Sequence, residues 1–140
     1  MEGIYMANIA KSSIKHIGRQ VAAESGGHSI ILDEPVSSKG TDAGANPVQY
    51  LLMALNGCLS ITAESLAASR GVDLKKFDVT TTGQTQRFPD KSSKVAKIKV
   101  VFDMESDLGS GDQHQFIDEV LKRCTVHNSL DKDIEYQFEY

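Results

Sequence analysis

A chain of 140 residues that is 40% hydrophobic and 24% charged lies in the globular range, and a single domain over residues 1–140 is expected. The formal charge of −4 offers nothing to attract a polyanion, so nucleic acid is not an expected partner. No run approaches about eighteen unbroken apolar residues, so no membrane span is expected. The start, MEGIYMANIAK, lacks the basic and apolar segments of a secretory signal, which points to a cytoplasmic protein. Cys58 and Cys124 are the two cysteines, too far apart for a CxxC or zinc-knuckle spacing. In a cytosolic chain such a pair is more often buried, metal-linked or redox-active than a structural bridge.

The first segment, MANIAKSSIKHIGRQVAAES, alternates loosely and predicts strands over roughly 7–13 and 17–24. Gly26 and Gly27 suit a hairpin turn because glycine tolerates positive φ, and a third strand follows over roughly 28–33. The stretch DEPVSSKGTDAGANP is rich in small residues and breakers and reads as a loop.

A long central helix comes next. Asn46 can cap it, Pro47 can occupy its first position, Gln49 completes a capping box, and Gly71 ends it. Some 24 residues make a helix about 36 Å long. Leu51, Leu55, Cys58 and Thr62 share one broad face, with Leu52, Leu59 and Leu66 on an adjacent one. Such a helix runs through a core or across a subunit interface. Gly57 costs about 1 kcal/mol relative to alanine in a helix interior, and a second backbone passing close to it is expected as compensation.

KKFDVTTTGQTQRF reads as a strand with Phe77 and Val79 inward, and PDKSS as a turn. KVAKIKVVFDME is a further strand carrying Val95, Ile98, Val100 and Phe102, and its change of phase near Ala96 predicts a bulge. DQHQFIDEVLKRC predicts a second, shorter helix, capped near Gly111 or Asp112, with Phe116, Ile117, Val120 and Leu121 inward. Asp118 and Glu119 lie within helical pairing distance of Lys122 and Arg123. TVHNSLDKD leaves that helix, and IEYQFEY is the last strand. The order β-β-β-α-β-β-α-β is that of an α+β protein. GANPVQ lacks the GxGxxG pattern and no GxxxxGK[ST] occurs, so no cofactor is implied.

Cys58 reads either as core packing or as a nucleophile. Its mid-helix position supplies no N-terminal dipole, and leucine surroundings alone raise a thiol pKa. A reactive Cys58 therefore needs a cation or polar hydrogens from elsewhere. Cys124, at the end of a helix beside a loop, has room to move for disulfide exchange, and Arg123 could favour its thiolate. Arg19, placed in an early strand, could stabilise a thiolate or the charge developing on a peroxide oxygen, or simply face solvent. Glu64 lies two helical turns beyond Cys58, about 9 Å along the axis, which makes direct assistance awkward. Glu24 and Glu34 are less constrained. Cys124 and His127 form a CxxH pair, but two ligands alone are a weak signal and no metal site is expected. Local roles suffice for His16, His28 and His114, and order alone assigns no Ser-His-Asp arrangement.

NPVQYLLMALNGCLSIT, followed by RCTVHNSL, resembles the OsmC/Ohr family of osmotically induced and organic hydroperoxide resistance proteins, closer to its broad OsmC-like branch. The resemblance spans nearly the whole chain and implies an OsmC/Ohr-like fold in a tightly intertwined homodimer, with active sites near the subunit interface. It implies a thiol-dependent peroxidase of the oxidative stress response. Cys58 matches the peroxide-attacking cysteine, Cys124 the resolving cysteine, and Arg19 the early arginine that activates the first thiolate. The implied substrate is an organic hydroperoxide, with Leu51, Leu52 and Leu55 as candidate pocket residues, and the implied reductant is an external dithiol or lipoylated protein. Val48 stands where strong peroxidase members carry a glutamate that engages the arginine, and valine accepts no hydrogen bond. Gln49 beside it could accept one. The alternative function is a non-peroxidatic redox protein, or a binder of small apolar molecules, on the same fold.

Overall fold

A computed structural model describes residues 3–140. The chain divides into two compact units, Met1–Tyr50 and Leu51–Tyr140. The first unit holds β1 (Lys11–Ile14), β2 (Val21–Ser25) and β3 (His28–Leu32), an antiparallel sheet in that order. Gly26 and Gly27, at φ 57° and 81°, make the predicted hairpin turn and set Ser25 opposite His28. The strands are shorter than the sequence suggested, and residues 15–20 form a turn. Arg19 therefore lies in the β1–β2 turn and not in a strand.

Helix α1 spans Pro47–Arg70, as predicted. The Asn46 side chain accepts from the Gln49 amide at 2.9 Å, and Gln49 Oε1 accepts from the Asn46 amide at 2.8 Å, a reciprocal capping box. By length and composition α1 could cross a membrane, with a mean hydropathy of 1.4 over its apolar window. Counting unbroken apolar runs missed this because Asn56, Gly57 and Ser60 interrupt the stretch. The same composition serves a core helix, and Leu55, Leu59, Ala63, Leu66 and Ala67 are buried.

In the second unit β4 (Leu74–Arg87) and β5 (Ser93–Ser106) form a long antiparallel pair, and β6 (Glu135–Glu139) adds parallel to β5. Gln84 faces Lys97 while Thr85 faces Val95, so Ala96 is the residue left over in the predicted bulge. Alternation on β5 sends Ile98, Val100 and Phe102 into the core. Lys97 and Lys99 on the other face pair with Glu135 and Glu139 of β6. Helix α2 (Ser110–Arg123) begins at an N-cap of Gly109, slightly before the expected start, and makes no side-chain cap bond. Its buried residues are the four predicted, and Arg123 pairs with Glu119 at 2.6 Å. Asp118 instead accepts from the Tyr140 hydroxyl at 2.6 Å.

Two short elements were not foreseen, and the first is a 3-10 turn at Val36–Ser38 inside the expected loop. Thr125–Ser129, read from the sequence as leaving the helix, forms a short helix α3. Cys124 ends α2 and caps α3, with an extended backbone at φ −70°, ψ 112°. The order is thus β-β-β-α-β-β-α-α-β, an α+β fold.

Candidate functional site: a thiol pair at a helix junction

Cys58 lies on α1 between the buried Leu55 and Leu59, half-buried at the edge of the core. Cys124 is fully buried at the α2–α3 junction. The fold brings the two together at 3.2 Å, both as free thiols. That is a non-bonded separation, since a disulfide spans about 2.05 Å. Cys124 is buried, not exposed beside a loop as its position suggested. Its sulfur accepts from the His127 amide at 3.5 Å, which locks it as the N-cap.

The two thiols differ in acidity. Burial pushes Cys58 up, but hydrogen bonds outweigh it: the Val126 amide first, then the Cys124 thiol, the Thr125 amide and the Thr62 hydroxyl. Its pKa falls below the ordinary cysteine value. Burial pushes Cys124 up to about 11, and the neighbouring Cys58 sulfur adds to the rise. Of the two, Cys58 is the one biased toward the thiolate, and it accepts the Cys124 S–H. The polar hydrogens needed by Cys58 come from the start of α3, whose first amides have no partner inside the helix. Overlooking α3 hid them.

Arg19 belongs to the first unit. Its amide donates to Asp33 Oδ1 at 3.2 Å. Asp33 is 1% exposed and also accepts from the amides of Glu34, Thr41 and Ala43 and from the Thr41 hydroxyl. Burial acts to raise its pKa, but those bonds hold it well below the usual carboxylate range. Sequence reasoning missed Asp33. The signal was an acid closing the apolar run SIIL, where a carboxylate can collect amides of a following turn. Beside it a groove of about 530 Å³ is lined by Arg19, Val21, Leu32, Asp33 and Pro47.

The remaining candidates stand apart from the thiols' hydrogen bonds. Glu64 is exposed on α1 and Glu24 on β2. Leu55 is wholly buried in the core, which removes it as a pocket-side residue, and Leu52 packs toward Gly83. A Cβ at Gly57 would meet nothing within 4 Å, so the second backbone expected there is not found in the described residues. Gln49 spends its side-chain oxygen on the Asn46 amide. His127 lies edge-on to Tyr136 at 5.0 Å, and no cluster of three metal-binding side chains occurs among the described residues.

Residues 40–139 match the family model described as OsmC-like protein. A hydroperoxide reductase of Mycoplasma pneumoniae is 30% identical over 93 residues, 66% of this chain and 66% of that protein. A hydroperoxide reductase of Mycoplasma genitalium is 29% identical over 111 residues, 79% of this chain and 77% of that protein. Among solved structures, an OsmC-like protein from Mycoplasma pneumoniae superposes with a TM-score of 0.84 at 24% identity, covering 97% of this chain and 95% of that one. With a family match across both cysteines and a fold that agrees along nearly its full length, this chain belongs to the OsmC-like protein family.

Proposed function

We propose that the protein is a thiol-dependent hydroperoxide reductase in which Cys58 attacks the peroxide and Cys124 resolves the product. One observation carries this reading: two free thiols in contact, the more acidic one facing the amides of Thr125 and Val126. The thiolate is the nucleophilic form, and those amides favour it. Cys58 sulfur attacks the terminal peroxide oxygen, the O–O bond breaks, and the alkoxide takes a proton to leave as alcohol. Cys58 becomes a sulfenic acid. Cys124 then attacks the Cys58 sulfur, the S–O bond breaks, water leaves, and the disulfide forms. An external dithiol, lipoylated or free, returns two electrons. The names of the Mycoplasma relatives support the activity.

In this reading Arg19 is the cation that stabilises the Cys58 thiolate, and the working unit is a homodimer in the cytoplasm. An apolar strip on α1 supports the dimer: Met53, Gly57 and Ile61 recur at i, i+4 and i+8, and Met53 and Ile61 are exposed. Ile61→Glu should shift the protein from dimer to monomer in light scattering.

A second reading is favoured by the first turn of α1, which holds no acidic residue. Val48 cannot accept from Arg19, and Gln49 is committed to its cap. A protein with an unengaged arginine could instead use the same thiols as a reversible disulfide, or bind a small apolar molecule, without peroxide turnover.

The deciding experiment mixes fully reduced protein with cumene hydroperoxide or hydrogen peroxide and follows thiol loss by stopped flow and intact mass. Fast oxidation by the organic peroxide, ending two hydrogens lighter, supports the reductase. Folded, reduced protein that is inert to a large excess moves the assignment to the second reading.

A further inference from the structure

We infer that Asp33 is a positioning residue for Arg19, fixing the turn that presents it; this rests on the role proposed above for Arg19. Among the described residues Asp33 is the one buried charged side chain, and it sits in a loop region where a core gains nothing from it. A charge is retained in such a place when its hydrogen bonds are fully used.

Three successive turn residues are tied to Asp33 or to its partner Thr41. Gly18, at φ +54°, lies so close to Thr41 that a Cβ on it would come within 2.7 Å of the Thr41 methyl. The Arg19 amide donates to Asp33 Oδ1. Gln20 Nε2 donates to Thr41 Oγ1 at 2.8 Å, and that hydroxyl donates onward to Asp33 Oδ2 at 2.6 Å. The turn is closed on itself by the Gln20 amide to the Ile17 carbonyl at 2.9 Å. Asp33 thus holds Arg19 by the backbone, which sets where its side chain begins.

Only a carboxylate fits all five donors. An asparagine would keep one oxygen and turn an NH₂ toward amides that also donate. The loop that supplies three of those donors is itself built close to Asp33, since a Cβ at Gly40 would run into the Glu34 carbonyl.

The test measures the rate of Cys58 alkylation by iodoacetamide against pH, in the intact protein, with thermal melts as the folding control. Arg19→Ala should raise the titration midpoint. Asp33→Asn should raise it by about one pH unit, leaving about tenfold less thiolate below the midpoint. Thr41→Val should move it the same way by less, and Thr41→Ser should restore the native value. If Asp33→Asn does not fold, Thr41→Val decides, because it keeps the carboxylate and four of its donors. A midpoint raised by Arg19→Ala but unchanged in folded Asp33→Asn and Thr41→Val overturns the positioning role alone. A midpoint unchanged by Arg19→Ala removes Arg19 from the mechanism, and Asp33 with it.

Discussion

Cys58 and Cys124 lie 3.2 Å apart with opposite acid–base behaviour. The partly exposed sulfur is the one held toward its thiolate, and the wholly buried one keeps its proton. A two-step thiol cycle needs this division, with the first sulfur charged and reachable and the second at hand yet shielded.

Cys58→Ser is expected to abolish hydroperoxide consumption while the protein stays folded, because serine replaces a half-buried thiol at little steric cost. Cys124→Ser should consume one equivalent and stop at a sulfenic acid that dimedone traps. Intact mass after a single peroxide addition distinguishes the two. Disulfide formation in the Cys124 variant would sink the resolving role.

Iodoacetamide at pH 8 should modify Cys58 alone, giving one adduct per chain, since Cys124 is buried and titrates near pH 11. Stability should follow the same asymmetry. Cys58, with its folded pKa depressed, contributes stability above the ordinary cysteine value of about 8.5 that is lost as pH falls through its folded pKa. Cys124, with its folded pKa raised, contributes stability below that ordinary value that is lost as pH rises toward 11. Urea melts across pH 7–11 on wild type and Cys124→Ser should therefore diverge at the alkaline end, with wild type falling faster.

Thr125→Pro removes one amide that faces Cys58 and little else. Proline suits the first position of a helix, and the extended backbone of Cys124 is compatible with a following proline. The expected result is a Cys58 midpoint higher by about half to one pH unit, and alkylation at pH 7 slower by roughly three- to tenfold, with a melting temperature close to wild type. An unchanged midpoint would show that the start of α3 does not tune this thiol.

Leu59→Ala should cost about 3 kcal/mol in a denaturant melt, because Leu59 is wholly buried and its loss leaves a cavity. Its neighbour Cys58 should still be alkylated at near-native rate below the unfolding midpoint. A much smaller cost would mean that the α1 core collapses easily around the gap.

The local features were legible. Asn46, Pro47 and Gln49 announced the start of α1, Gly26–Gly27 the hairpin, and the phase slip at Ala96 its bulge. Each depends on a few adjacent residues. The features missed depend on distant ones. Of the residues that donate to Asp33, 34, 41 and 43 follow it in the next loop, but residue 19 reaches it from the β1–β2 turn, which that loop's sequence does not display. Helix α3 has five residues, too few to give a periodic signal, and its cap is a cysteine, which no capping preference would nominate. Val48 was the more informative departure, since the structure shows that its neighbour Gln49 is already spent on the cap.

The parallel pairing of β6 with β5 has a consequence for the newborn chain. A parallel neighbour cannot be reached by a tight turn, so α2 and α3 must be threaded between the two strands. A ribosome therefore finishes α1, and with it Cys58, long before the amides of Thr125 and Val126 exist to sharpen that thiol. Until then Cys58 lacks those two donors. On the proposed reading, a half-made chain that stops before α3 therefore holds a less nucleophilic thiol.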